Sequence, residues 1–394
     1  MARIPQGEID RLKQEYSLER IVTGHGVELK AHGADLMGRC PFHDDKTPSL
    51  VVTPSNNLWH CLGACQTGGS VIDWVMKAHG VSFRHAVEML KADQIPAGPV
   101  RPEGDKRRAR HLVAPVDAGA DDRALVGQVV GYYHQTLKES PEAVAYLKAR
   151  GITSSEVIER YQLGFANRTL GLRLPTANLK AGAEIRSRLQ ALGILRESGH
   201  EHFNGSLVVP IHDETGVVVG MYGRKITANL RPGTPDHLYL PGPHRGVFNI
   251  EAVALYPEII LCEALIDALT FLDAGFPNVI SAYGINGFTA DHWAALRKHK
   301  TKRVLIAYDR DDAGDQASRT LAAELMAAGV ECFRVQFPRG MDANEYARKV
   351  TPAAKSLAVA IRKAEWMGQG RAPDRSDAGP IVERAAPPAI PVPV

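Results

Sequence analysis

The sequence predicts an α/β protein made of several domains, and three observations lead to this expectation. Cysteine and histidine residues cluster near the N-terminus, at positions 40–65. Two strand-like segments, SLVVPIHD and GVVVGMYGRKI, flank a short turn-forming stretch in the middle of the chain. Between residues 257 and 337, apolar strand-like segments alternate with helical patterns, which is typical of a parallel sheet covered by helices. A length of 394 residues is sufficient for two or three such domains.

The N-terminal cluster has the spacing of a zinc site. Cys40 and His43 form one close pair and Cys61 and Cys65 form the other, with seventeen residues between the pairs. Two close pairs of soft ligands suit a tetrahedral zinc ion, and four protein ligands leave no position open for water. We therefore expect a structural zinc site, with His60 as a rival ligand. The alternative interpretation is a set of buried thiols beside a surface histidine.

The elements around the cluster follow from local patterns. Residues 4–30 predict a short amphipathic helix and an extended piece, and the residues between the ligand pairs predict a hairpin. Ser70 and Asp73 form a capping-box pattern at the start of the helix VIDWVMKAHG, and a second helix, VSFRHAVEMLKA, follows. These elements complete a zinc-ribbon-like module at residues 1–93.

Composition divides the rest of the chain. Residues 94–120 are rich in proline and glycine and predict a flexible linker, within which the basic block at 106–110 suits either phosphate binding or a solvated linker. Residues 121–250 predict a mixed α+β region with a hairpin, and residues 251–350 predict a doubly wound parallel sheet. The composition of residues 365–394 predicts a disordered tail.

Charge and hydropathy argue against a membrane-spanning or secreted protein. The net charge of +3 does not by itself require an anionic partner, and 44% hydrophobic residues are typical of a soluble globular chain. We see no apolar run long enough for a membrane span and no apolar core of a signal peptide. Clustered cysteines without a secretory signal predict a reducing, cytoplasmic location.

Carboxylates follow two strands of the predicted parallel sheet. Glu263 comes directly after EIILC, and Asp309 and Asp311 come after RVLIAY. Ligands of open α/β sheets bind at the carboxyl ends of strands, and carboxylate oxygens suit Mg²⁺ or Mn²⁺. Three further aspartates are candidate metal ligands: Asp267, Asp315 and Asp342. The alternative is a solvated acidic loop with charges favoured by a helix N-terminus.

These motifs together resemble the bacterial DnaG-type primases. The segment CPFHDDKTPSLVVTPSNNLWHCLGACQTGGSVIDWV resembles their zinc-binding domain, and EALIDALTFLDAG with AYDRDDAGDQA resembles their Toprim domain. Between them, YLKARGITSSEVIERYQLGFA and SLVVPIHDETGVVVGMYGRKI resemble the N-terminal part of the primase polymerase core. The resemblance extends over about residues 1–350.

The resemblance implies the synthesis of short RNA primers on a single-stranded DNA template from nucleoside triphosphates. It implies that Glu263, Asp309 and Asp311 are catalytic metal ligands, and that Arg224 and Lys225 contact nucleotide or template phosphates. In the zinc module it implies template contacts for Lys46, Arg39 and Trp59, with Trp59 either stacked on a base or packed in the core. Ordinary surface charge is the alternative for Arg224 and Lys225.

The sequence departs from the family pattern at several positions. Ala264 follows the Toprim glutamate where glycine is usual, Ser206 stands where the family often has arginine, and His237 stands near a family lysine. The pattern of the family's helicase-binding domain does not follow the Toprim segment, which leaves a replicative helicase as an uncertain partner. We therefore expect a short form of the enzyme encoded by a plasmid, phage or integrative element.

Two other functions fit parts of this sequence. A Toprim nuclease would use the same carboxylates and metal to cleave DNA, and the primase-like middle region argues against it. A non-catalytic single-stranded DNA-binding module would not need Glu263, Asp309 and Asp311.

Overall fold

The computed structural model describes residues 4–91, 114–117, 119–175, 180–227, 230 and 233–375. The chain divides into two compact units. The first unit contains residues 1–144, 164–208 and 223–238, and the second contains residues 145–163, 209–222 and 239–394. The units therefore interleave along the chain, whereas the domains predicted from sequence follow one another. No helix within the described ranges is both long and apolar enough to cross a membrane.

The N-terminal module has a five-stranded antiparallel sheet flanked by helices. Its elements are α1 Gln6–Glu15, α2 Leu18–Gly24, β1 Leu29–His32, β2 Asp35–Gly38, β3 Leu50–Thr53, β4 Leu58–Cys61, β5 Gly68–Gly69, α3 Val71–His79 and α4 Phe83–Lys91. The strands lie in chain order, so each pairs with its neighbour in sequence. The predicted hairpin between the ligand pairs is the β3–β4 pair, with Leu50 opposite Cys61. The predicted capping box is also present, since the Asp73 carboxylate accepts from the Ser70 backbone N–H at 2.7 Å.

An aromatic cluster fills the core of this module. Trp59 and Trp74 meet edge to face with ring centroids 5.1 Å apart, and Phe42 packs against both. Only 3% of Trp59 is exposed, because β4 alternates exposed and buried residues and Trp59 lies on the buried face. Of the two alternatives for Trp59, the structure shows packing in the core rather than stacking on a template base.

The middle of the chain combines helices with a four-stranded sheet in the order β6-β7-β8-β9. Its elements are α5 Asp122–Glu139, α6 Pro141–Ala149, α7 Ser155–Arg160, β6 Gly164–Ala166, α8 Leu170–Arg173, α9 Lys180–Ala191, β7 Ser206–His212, β8 Val218–Lys225 and β9 His237–Tyr239. The predicted hairpin is the β7–β8 pair, closed by the Asp213 N–H donating to the Val217 carbonyl at 2.9 Å. Residues 94–113 of the predicted linker, including its basic block, lie outside the described residues. At the described end of the linker, Val116 is buried.

The C-terminal part contains the predicted parallel sheet. Its elements are α10 Ile250–Leu255, β10 Glu258–Cys262, α11 Leu265–Asp273, β11 Val279–Ser281, α12 Ala290–Lys298, β12 Arg303–Ala307, α13 Asp312–Ala327, β13 Glu331–Arg334, α14 Ala343–Lys349, α15 Ala353–Arg362 and β14 Glu365–Trp366. The strand order is β11-β10-β12-β13-β14, with only β14 antiparallel to its neighbour. The chain leaves β10 toward β11 and leaves β12 toward β13, so a topological switch point lies between β10 and β12.

The predicted tail begins too early. Residues 365 and 366 form β14, where the Trp366 ring packs on Phe333 with centroids 5.2 Å apart. Arg375 then reaches the buried carboxylate of Glu258 at 3.4 Å. Composition did not reveal these contacts because each depends on a partner distant in sequence. Residues 376–394 lie outside the described residues.

Candidate functional site

The four predicted zinc ligands converge in the N-terminal module. Within the described ranges, Cys40, His43, Cys61 and Cys65 are the one group of three or more metal-ligating side chains whose ligand atoms all lie within 4.8 Å of one another. The sulfurs of Cys40 and Cys65 are 3.5 Å apart, and the Cys61 sulfur is 3.9 Å from Nδ1 of His43. Two sulfurs on a tetrahedral zinc ion are about 3.8 Å apart, because each Zn–S bond is about 2.3 Å. These side chains therefore fit a structural zinc ion.

The local fold explains why His43 rather than His60 completes this set. His60 lies on the exposed face of β4, whereas its neighbour Cys61 is fully buried. Because side chains on a strand alternate between faces, Cys61 and His60 cannot both point toward the same ion. The rival ligand predicted from sequence is thereby excluded.

Asp45 supports the zinc site, and the sequence pattern did not reveal it. One carboxylate oxygen of Asp45 accepts from the Cys40 backbone N–H and the Ser49 hydroxyl, both at 2.7 Å, and the other lies 3.5 Å from Nε2 of His43. Burial opposes ionisation of Asp45, but these hydrogen bonds outweigh it and lower the pKa. A carboxylate on the second nitrogen of a ligating histidine fixes the orientation of the ring.

Two of the predicted carboxylates follow the strands on either side of the switch point of the parallel sheet. β10 and β12 pair with Cys262 opposite Ala307, which brings the following Glu263 and Asp309 to one edge of the sheet. Burial, with the nearby charge of Asp309, raises the pKa of Glu263 to about 7. Burial, with the charges of Asp342 and Asp311, raises the pKa of Asp309 to about 6. The carboxylates thus crowd together in a site that favours either protons or a cation.

One oxygen in this site has no partner among the described residues. Oε2 of Glu263 is buried and accepts no hydrogen bond from that part of the chain. A buried carboxylate oxygen without a partner costs free energy, and a hard divalent cation would supply that partner. The residues present therefore fit Mg²⁺ or Mn²⁺.

The other predicted acidic residues have different environments. Asp267 is buried and accepts from the Asn344 N–H at 3.0 Å, and its burial with the charge of Asp342 raises its pKa well above the usual range. Asp311 and Asp342 cap α13 and α14 with one oxygen each, accepting from Gly314 N–H at 2.7 Å and from Glu345 N–H at 2.5 Å.

Asp315 forms ion pairs with two arginines. Its two oxygens accept from Arg310 at 2.5 Å and Arg334 at 3.1 Å. Burial would raise the pKa of Asp315, but these two guanidinium groups outweigh it and lower the pKa. The structure therefore does not support the predicted metal-ligand role of Asp315.

Arg334 is a buried residue that holds the loop containing Asp309 in place. Only 4% of it is exposed, and its guanidinium donates to the carbonyls of Tyr308 and Asp309 at 2.9 Å. Gly314 allows the loop to close, because a Cβ there would lie 2.3 Å from the Asp309 carbonyl oxygen. Sequence reasoning identified ECFRVQF as a strand but missed the role of the arginine within it.

The raised pKa values predict how pH and metal affect stability. In the folded chain Glu263 and Asp309 hold protons at pH values at which the unfolded chain has released them, so metal-free protein loses stability as pH rises from about 4 toward 7. Thermal unfolding should show that Mn²⁺ raises the melting temperature more at pH 8 than at pH 5. A Glu263→Gln, Asp309→Asn double variant should lose most of this difference, and an unchanged difference would contradict the assignment.

Models of known protein families match the segments of the chain that contain the two candidate sites. The family model of the DnaG CHC2 zinc finger matches residues 4–97, that of the DNA primase catalytic core N-terminal domain matches residues 132–254, and a Toprim-like model matches residues 260–347. The three segments occur in the order that the resemblance predicted. The chain therefore combines a DnaG-type zinc-finger segment, a primase core segment and a Toprim-like segment.

Individual primases are similar over most of this chain. The DNA primase of Listeria monocytogenes is 29% identical over 374 residues, which is 89% of this chain and 57% of the relative. The chain thus spans less than two thirds of that relative's length. The crystal structure of the zinc-binding and RNA polymerase domains of the Aquifex aeolicus primase has 26% identity and a TM-score of 0.52, covering 91% of this chain and 85% of that one.

A second similar structure shares the fold. It is a DnaG primase catalytic domain bound to single-stranded DNA, with 24% identity and a TM-score of 0.51, and it covers 61% of this chain and 79% of that chain.

The first unit carries a basic cluster, which we define as Arg168, Arg196 and Lys225. The Lys225 ammonium donates to the Asn204 carbonyl, and the Arg168 guanidinium donates to the Asn204 side chain. Burial, with the charges of Arg196 and Arg168, lowers the pKa of Lys225 to about 8. No motif marks Arg168 or Arg196, so sequence reasoning missed both.

The two predicted phosphate contacts, Arg224 and Lys225, have different surroundings. The two residues are adjacent on β8, so their side chains point to opposite faces of the sheet. Arg224 contacts the His237 ring, whereas Lys225 contacts Asn204. Among the zinc-module candidates, Lys46 and Arg39 are exposed and accessible to a template.

Proposed function

We propose that the chain is a DNA primase that synthesises short RNA primers on single-stranded DNA by divalent-metal-dependent nucleotidyl transfer. The observation that carries this proposal is the carboxylate site at the switch point between β10 and β12, in a chain with the zinc, core and Toprim-like segments of primases. The proposal places the protein in the cytoplasm, with template DNA and nucleoside triphosphates as its partners.

In this proposal Glu263, Asp309 and Asp311 hold Mg²⁺ or Mn²⁺, with support from Asp267 and Asp342. The bound ion would stabilise charge on the attacking and leaving oxygens during in-line attack of a 3′-hydroxyl on an α-phosphate. The protein's part is to keep the carboxylates in position. Arg334 does so for Asp309, whose carbonyl it binds at 2.9 Å, and the Asn344 N–H does so for Asp267.

The basic cluster is proposed to bind phosphates of template or triphosphate. Ser206, at the position where the family often has arginine, is fully buried and carries no charge. Arg168, Arg196 and Lys225 supply positive charge around nearby Asn204 instead. Bound phosphate would favour the charged form of Lys225 and offset the cost of its partial burial.

The zinc module is proposed to engage the template through Lys46 and Arg39, which lie beside the ligands Cys40 and His43. The match of residues 4–97 to the DnaG CHC2 zinc finger supports this role. The structural zinc ion holds the module's fold rather than taking part in the reaction.

Primer synthesis is the experiment that tests the proposal. Purified protein should be incubated with circular single-stranded DNA, labelled nucleoside triphosphates and Mg²⁺ or Mn²⁺, and the products separated on a denaturing gel. We expect short RNA products that require both template and metal. Cleavage of labelled DNA in the same buffer without nucleotides, and no RNA product with them, would instead indicate a Toprim nuclease.

A further inference from the structure

An aromatic cluster borders the carboxylate site, and we define it as Tyr239, His244 and Tyr283. The rings of His244 and Tyr283 are stacked, with centroids 4.6 Å apart and planes 7° from parallel. Tyr239 meets both rings edge to face, at 4.5 Å from His244 and 5.5 Å from Tyr283. His244 is exposed and the two tyrosines are partly exposed, unlike the buried tryptophans of the zinc module. The cluster therefore presents an aromatic surface to solvent.

Backbone hydrogen bonds join this cluster to the strand that carries the catalytic glutamate. Tyr283 follows β11, which pairs in parallel with β10. The Ala282 N–H donates to the Cys262 carbonyl at 2.9 Å, and the Gly284 N–H donates to the Glu263 carbonyl at 3.1 Å. Tyr283 lies between these two bonds, so its position is fixed relative to Glu263.

The loop that carries His244 is held in place from two sides. The Tyr283 hydroxyl lies 2.6 Å from the Arg245 carbonyl and 2.9 Å from the Gly246 carbonyl, so it is placed to donate to either. Asp291 on α12 accepts from the Gly246 N–H at 2.6 Å. The cluster is thus preorganised, and ligand binding would not have to order the loop.

The tight turn after Tyr283 also fixes the ring. The Tyr283 N–H donates to the Gly287 carbonyl at 3.2 Å, and a Cβ at Gly287 would lie 2.2 Å from the carbonyl carbon of Tyr283. Only glycine fits at this position without moving Tyr283. The turn therefore adds a second constraint on the ring, independent of its hydroxyl.

We propose that Tyr239, His244 and Tyr283 form a stacking platform for a nucleobase, with the base lying on the exposed ring of His244. The inference rests on the proposed function, since it places a base of the template or of a nucleotide beside the metal site. Aromatic rings accept any base because every base offers a π face. The exposed side chain of Arg245, next in the chain, supplies a cation for the phosphate attached to that base.

The test compares His244→Ala with His244→Trp in the full-length protein. Alanine removes the ring, whereas tryptophan retains an aromatic surface, and neither changes the hydroxyl that holds the loop. The first measurement is the Kd for a single-stranded oligonucleotide containing 2-aminopurine, whose fluorescence falls when the base stacks. The second is the KM for nucleoside triphosphates in primer synthesis.

We expect His244→Ala to raise either the Kd for the oligonucleotide or the KM for nucleoside triphosphates by about 5- to 100-fold. Loss of one base–aromatic stack is expected to have an effect of this size. A weaker Kd with less 2-aminopurine quenching would identify a template base, and a higher KM at unchanged Kd would identify the nucleotide base. His244→Trp should stay within about threefold of wild type. Melting temperature and Mn²⁺ binding should be unchanged in both variants.

Two results would overturn the platform: both constants unchanged in His244→Ala, or equal losses in His244→Ala and His244→Trp. This failure is distinct from failure of the proposed function. A wild-type protein that makes no primers, but whose oligonucleotide binding depends on His244, would contradict the primase proposal and leave the platform standing. Primer synthesis by the wild-type protein, with a Kd and a KM that do not depend on His244, would support the primase proposal and contradict the platform.

Discussion

Primer synthesis should fall by at least about 100-fold in either Glu263→Gln or Asp309→Asn, since loss of one electrostatic stabiliser of a transition state commonly costs about 100- to 1,000-fold. Both changes keep the shape of the side chain and remove the charge that would hold a divalent ion. Because ionisation of the two groups is already disfavoured by burial and mutual repulsion, neutral side chains should not destabilise the metal-free fold. Initial rates of nucleotide incorporation would measure the loss, and thermal unfolding would verify the fold.

Asp312→Asn is the matched control. Asp312 is the next residue after the candidate ligand Asp311, but it is exposed and pairs with the exposed guanidinium of Arg339. An exposed ion pair of this kind contributes little to stability, so this variant should synthesise primers at close to the wild-type rate. Full activity in Glu263→Gln or Asp309→Asn, or equal losses in all three variants, would show that the metal site is assigned wrongly.

The second large effect is expected for Cys61→Ala, which should lose its zinc ion and unfold residues 35–91. Cys61 is fully buried and its sulfur lies 3.9 Å from the His43 ring and 3.5 Å from the Ser49 hydroxyl. Structural zinc contributes about 10 kcal/mol or more to the folding of small modules, so a three-ligand site should not hold the fold. Elemental analysis would report the zinc content, and hydrogen exchange would report which residues have unfolded.

His60→Ala provides the control for that experiment. It changes the neighbouring residue, which lies on the exposed face of β4. We expect one zinc ion per chain and wild-type hydrogen exchange in this variant. A folded Cys61→Ala protein that retains its zinc, or a zinc-free His60→Ala protein, would contradict the ligand assignment.

The sequence predicted those features that depend on local spacing. The zinc ligands could be found because two close pairs of ligands are a short-range pattern. The family model of the CHC2 zinc finger, which matches residues 4–97, covers the same positions. Glu263 and Asp309 could be found because parallel strands end at one edge of a sheet, so strand ends identify the edge without knowledge of the packing.

The sequence could not predict features that depend on which side chains meet in space. Asp315 follows the same acidic pattern as Asp311, and only the structure shows that Arg310 and Arg334 occupy its oxygens. For Trp59 the sequence left two alternatives, base stacking and core packing, and the alternation of β4 shows that it packs in the core. The stacked rings of His244 and Tyr283 come from two separate loops, and no spacing rule connects them.

The central claim is that Glu263 and Asp309 bind a divalent cation, and locating the bound metal tests it most directly. Crystals of the full chain grown with Mn²⁺ should be measured at a wavelength at which manganese scatters anomalously. We predict an anomalous peak within about 2.1 Å of carboxylate oxygens of Glu263 and Asp309, at the carboxyl edge of β10 and β12. A well-ordered carboxylate site without such a peak, or manganese bound only elsewhere on the chain, would contradict the account.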